Sequence, residues 1–122
     1  MRFTQDSSQN LNVIRGYGGG ELKINAASYR GAVIVSASQL IHEPAIQTLA
    51  ELLDLDKARI FALDPEMLLV GTGERQVFPE GDFSLPFLKA GIGVDIMDTG
   101  AACRTYNVLM AEQRRVVALL LA

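Results

Sequence analysis

Gly91-Ile92-Gly93-Val94-Asp95-Ile96-Met97-Asp98-Thr99-Gly100-Ala101-Ala102-Cys103-Arg104-Thr105-Tyr106-Asn107 decides the fold of this chain. The stretch reads as a buried strand over Gly93–Met97, a tight polar turn at Asp98-Thr99-Gly100, and a helix from about Ala101 to Glu112. Strand-to-helix turns of this kind are where α/β proteins place ligands or partners. Upstream, Met67–Val70 predicts a second buried strand, stopped by Gly71-Thr72-Gly73. Between the two strands lie a loop over Phe78–Asp82 and a helix capped by Ser84, with Pro86 in its first turn and Gly91 closing it. Downstream, Val116–Leu121 predicts a last strand. Strand, helix, strand, helix, strand implies a three-layer α/β fold with a parallel crossover.

The front half is less regular. Asn12–Tyr17 and Glu21–Ile24 flank Gly18-Gly19-Gly20 and predict a β-hairpin that makes the sheet mixed. Gly31–Ser36 is an apolar, β-branched run expected as a central strand covered on both faces, with Leu40-Ile41 as a short edge continuation. Thr48-Leu49-Ala50-Glu51 has the spacing of a capping box, and Asp54 is placed to cap a second short helix over Lys57–Leu63, ended by Asp64-Pro65-Glu66. The expected fold class is therefore α/β: one three-layer domain over residues 11–122, a mixed, mostly parallel sheet with helices on its faces, an N-terminal β-hairpin, and a loose segment over 1–10.

Composition excludes several functions. A chain of 122 residues that is 49% apolar and 20% charged can bury a full core. Its net charge of -3 argues against nucleic acid as a partner, since that needs a basic surface. The single cysteine, Cys103, rules out an internal disulfide and a Cys-based zinc site, and the single histidine, His42, removes multi-histidine metal sites. Neither a signal peptide nor the roughly 20-residue apolar run of a transmembrane segment is visible, so a cytoplasmic location is expected.

Several catalytic readings fail on context. Asp98-Thr99-Gly100 looks like the aspartic protease triplet, but those enzymes need long β-structure after it, and here a helix begins. Gly16-Tyr17-Gly18-Gly19-Gly20 lies in a hairpin, where no helix N-terminus follows to hold a phosphate. Cys103 reads as a packed apolar side chain, and His42, in a loop before Glu43-Pro44, as a rim residue. Asp98 or Thr99 serves as a helix N-cap. Two Gly-Thr turns on one sheet edge still form a candidate pocket for a small anion or metabolite, made of Gly71, Thr72, Gly73, Arg75, Asp98, Thr99, Gly100 and Arg104. Arg104 opposes the dipole of its own helix and so calls for a partner. Asp98 or Glu74 would supply a salt bridge; a bound anion or another protein would be the functional alternative.

Leu68–Arg75, Phe78-Pro79, Gly91–Val94 and Met97–Asn107 together resemble a widespread domain of unknown function. Its mitochondrial members are the NADH dehydrogenase (complex I) assembly factor 3 proteins. The resemblance runs over nearly the whole chain, with its specific part in the later half. It implies a compact three-layer α/β fold with a mostly parallel sheet, no established enzyme activity and no cofactor. For the mitochondrial relatives it implies binding to partner proteins during assembly. A non-enzymatic, protein-binding domain assisting complex I assembly is the leading expectation; the anion pocket is its competitor. A homo-oligomer is compatible with either.

Overall fold

A computed structural model describes residues 11–122; the expected loose segment over 1–10 lies outside the described residues. The strands are β1 (Ile14–Gly18), β2 (Glu21–Ile24), β3 (Ala27–Tyr29), β4 (Ala32–Val35), β5 (Leu40–Glu43), β6 (Met67–Gly71), β7 (Gly93–Met97) and β8 (Val116–Leu121). The helices are α1 (Leu49–Leu53), α2 (Lys57–Phe61), α3 (Leu85–Lys89) and α4 (Thr99–Ala111).

The chain is a mixed α/β domain, but its sheets differ from the expectation. There are two: a three-stranded sheet β1-β2-β3, and a five-stranded sheet ordered β5-β4-β8-β6-β7. The larger is not mostly parallel. β6 runs parallel to both β7 and β8, while β4 runs antiparallel to both β5 and β8. The N-terminal hairpin is also corrected. β1 and β2 do pair antiparallel across the glycine turn, but β3 joins β2 and the unit forms a separate sheet. The front strands that make the main sheet mixed are β4 and β5 instead.

Side-chain alternation explains why this sheet needs cover on both faces. Val116, Ala118 and Leu120 of β8, Leu69 of β6, and Val33 and Val35 of β4 join one core cluster with Ala102, Cys103 and Tyr106 of α4 and Leu22 and Ile24 of β2. The alternate residues Val117, Leu119, Leu68, Val70 and Ile34 join a second cluster with Leu52 of α1, Ile60 of α2 and Phe87 of α3. One face thus carries α4 and the small sheet; the other carries the three short helices.

Local signals place the short helices. Thr48 forms a full capping box with Glu51, whose carboxyl is held below the usual range by the Gln47 and Thr48 backbone N–H groups. The second cap is Asp56, accepting from Ala58, whereas Asp54 ends the preceding helix. Ser84 precedes α3 but makes no side-chain cap bond; Pro86 opens that helix. At its far end α4 closes in a Schellman arrangement, with Gln113 N–H donating to Met110 O at 2.9 Å and Arg114 N–H to Leu109 O at 3.0 Å.

Candidate functional site

Asp98 is the N-cap of α4: its Oδ1 accepts from Ala101 N–H at 2.9 Å. Thr99 is therefore the first helical residue, fully buried, with its hydroxyl freed for other work. That hydroxyl donates to Leu121 O at 2.7 Å and accepts from Gly73 N–H at 2.7 Å. The Thr99 N–H donates back to Gly73 O at 2.8 Å, and Thr72 N–H to Met97 O at 2.9 Å. Four bonds thus lace the carboxyl ends of β6, β7 and β8 together. Gly71 makes room for the lace, since a Cβ there would sit 2.9 Å from Thr99 Oγ1 and 3.0 Å from Leu120 Cδ2. Gly73 takes φ +101, a backbone conformation suited to glycine. The Thr72 hydroxyl donates to Arg75 O and accepts from Val77 N–H at 3.2 Å.

The residues expected to share a pocket are thus divided. Gly71, Gly73 and Thr99 bond or pack together, while Thr72 bonds to Met97, Arg75 and Val77 and Asp98 caps α4 through Ala101. Gly100 and Arg104 line a different cavity, of about 420 Å³, between α4 and β1. Arg75 is exposed and is not among that cavity's lining residues. Because α4 begins at Thr99, Arg104 falls in its second turn, where the dipole acts more weakly. The expected bridge to Asp98 or Glu74 does not form: no carboxylate among the described residues lies within 4.0 Å of the Arg104 guanidinium.

Cys103 is 6% exposed, and burial pushes its thiol up to about 11 despite the nearby Arg104 charge. It is neutral at pH 7 and packed in the core. His42 sits exposed on β5, with its Nε2 2.8 Å from Arg30 O and its ring edge-on to Tyr29. Among the described residues, no group of three or more His, Cys, Asp and Glu is arranged to hold a metal.

Reading the sequence missed a surface on the other face. The connection from β6 to α3 carries Val77 and Phe78, and Phe78 is 77% exposed; Leu85 and Leu88 of α3 are also exposed. Phe78 borders two concavities. One, of about 790 Å³, runs from Leu49 and Leu53 of α1 past Phe83 to Pro86. The other, of about 290 Å³, includes Leu85, Leu88 and Ile96. The walls are firm: Phe83 packs on Phe87 at 5.3 Å between ring centres, and the Lys57 ammonium lies 5.4 Å from the Phe83 ring. An aromatic residue in the Pro- and Gly-containing loop Phe78-Pro79-Glu80-Gly81-Asp82 was the available signal.

A family described as a protein of unknown function (DUF498/DUF598) matches residues 14–121. A Francisella tularensis protein named "13 kDa major membrane protein" is 32% identical over 117 residues, which is 95% of each chain. The Danio rerio NADH dehydrogenase (ubiquinone) 1 alpha subcomplex assembly factor 3 is 36% identical over 63 residues, covering 50% of this chain and 36% of that one. The crystal structure of a Bordetella parapertussis protein superposes with a TM-score of 0.81 at 39% identity, over 91% of this chain and 95% of that one. Among the described residues, no helix is long and apolar enough to cross a membrane.

Proposed function

The chain belongs to the DUF498/DUF598 family, and from that membership we propose that it is a non-enzymatic domain that binds a protein partner during assembly of a respiratory NADH dehydrogenase complex. The observation that carries the reading is the exposed apolar surface around Phe78. A side chain of that size left 77% exposed, beside grooves walled by Leu49, Leu53, Phe83 and Leu88, is what a partner-binding surface presents. Phe78 can act as an anchor that desolvates on binding, with Asp54, Glu80 and Asp82 as a polar rim. The relatives named as assembly factors supply the class of partner. The neutral, buried Cys103 and the internally bonded Thr72 and Thr99 are consistent with binding rather than catalysis.

Deletion of the gene in its own host, followed by complementation, tests the reading. NADH:quinone oxidoreductase activity of the membranes should fall on deletion. It should return with the wild-type chain and stay low with Phe78→Asp. Unchanged activity on deletion, with no protein reproducibly enriched on the tagged chain from membranes or cytosol, contradicts it.

A further inference from the structure

The cavity between β1 and α4 is built by an unusual local arrangement. Asn107 of α4 fastens β1 at one point: Ile14 N–H donates to Asn107 Oδ1 at 3.0 Å, and Asn107 Nδ2 donates to Ile14 O at 2.8 Å. The β1–β2 register then jumps between Ile14 and Gly16, so Arg15 is the extra residue of a β-bulge. Bulges bend the strand and re-aim its side chains. Here the bulge sets Arg15 on the same cavity as Arg104, with Tyr17 and Cys103 also in the lining.

No carboxylate lines this cavity. Arg30, Arg59, Arg114 and Arg115 each have an acidic partner, whereas neither Arg15 nor Arg104 has one within 4.0 Å among the described residues. Asp98, the cap of α4, gives Oδ1 to Ala101 N–H; its charge and that of Glu74 reach the Tyr17 side of the cavity, but neither carboxylate lies within 4.0 Å of either guanidinium. Two arginines thus line one space, with Arg104 Nη1 3.5 Å from where a Cβ of Gly100 would stand, and a pair of like charges on one cavity favours an anion between them. Glycines also keep the space open. Gly16 and Gly100 lack the positive φ that would require glycine. A Cβ at Gly16 would meet nothing within 4 Å, and one at Gly100 only ordinary contacts from 3.4 Å outward. Gly16 follows the bulge and Gly100 is the second residue of α4, and at neither does a positive φ or a clash demand glycine.

We propose that this cavity binds a phosphate group, held between the Arg15 and Arg104 guanidinium groups. Phosphate fits better than a monocarboxylate, because its dianion neutralises both cations and its oxygens suit planar, bidentate donors. The Cys103 thiol contributes a neutral, apolar wall. The site lies on the α4 face of the main sheet and is independent of the Phe78 surface, which lies on the opposite face.

Titration of inorganic phosphate into the full chain, at constant ionic strength with chloride as control, tests this. Amide NMR shifts of residues 14–17 and 100–107 are the readout. Saturable shifts are expected, weakened about tenfold or more by Arg15→Gln and by Arg104→Gln, the size of one lost charge-assisted hydrogen bond. Gly16→Val keeps both charges but fills the cavity, and it should weaken binding too. A parallel arm floats the chain on vesicles of phosphatidylglycerol or phosphatidylcholine. Arginine-dependent binding to the former alone, without a response to inorganic phosphate, assigns the group to a lipid headgroup. No saturable response in either arm overturns the proposal, as does binding that survives all three substitutions.

Discussion

The two connections that leave the carboxyl ends of β6 and β7 have opposite characters. After β7 the chain turns through Asp98 directly into α4, and its polar side chains are bonded to neighbouring backbone. After β6 it opens into a long segment that leaves Val77 and Phe78 in solvent before α3 begins. The tight turn has the motif-like sequence, as does the Gly71-Thr72-Gly73 start of the long one, whereas the rest of the long one, Phe78–Asp82, reads as ordinary loop. Their structures reverse that ranking. The Asp98-Thr99 turn, with Thr72 and Gly73 from the start of the other connection, holds three strand ends together, and the plain Val77–Asp82 loop carries the surface a partner can grip. Polar residues at a strand end are thus informative only when their hydrogen bonds are followed to a partner.

That contrast can be broken most sharply at Thr99. Thr99→Val removes the hydroxyl and strands Leu121 O and Gly73 N–H in a buried place, so stability to urea should fall by about 2–4 kcal/mol. Thr99→Ser should recover most of it. Gly71→Ala forces a Cβ to within 2.9 Å of Thr99 and should lose about 1–3 kcal/mol. Equality of either variant with wild type would mean that the lace is dispensable.

Alkylation of Cys103 should be slow at pH 7 and accelerate toward pH 11, since burial pushes the folded thiol up to about 11. The sign for stability follows. The folded state keeps its proton longer, so stability from this group is intact below pH 9 and is lost as pH rises toward 11. The smallest effect on stability belongs to the exposed loop. Phe78→Asp should change the urea midpoint by less than about 0.5 kcal/mol equivalent, because the side chain packs against little. A large loss there would make Phe78 a core residue and remove the contrast.

Much of this architecture was legible because it rests on short-range rules. The apolar runs of β6, β7 and β8, the capping box at Thr48 and the extent of α4 follow from local pattern. Pairings between distant segments were not. β4 lies antiparallel to β8 because residues 32–35 and 118–121 meet in space, and no residue near either strand announces it. β3 is only Ala27-Ser28-Tyr29, largely exposed, too short and too polar to separate a hairpin from a three-stranded sheet. Asp54 and Asp56 are equally good caps by composition, and only helix phase selects Asp56. At the candidate site, the eight residues expected from the sequence include Thr72, Gly73 and Thr99 of the lace and one of the two arginines of the cavity. Arg15 joins Arg104 only through the bulge that Asn107 fixes, a contact across most of the chain.

The account stands on Phe78 as a partner anchor, and site-specific photo-crosslinking in the native host reads that directly. A benzophenone side chain at position 78 should give a discrete adduct with a subunit of the respiratory NADH dehydrogenase or its assembly intermediates. The same group at exposed Ser28 on the small sheet should give none. Equal or absent adducts at the two positions would contradict the assignment of the 77–88 face as the binding surface.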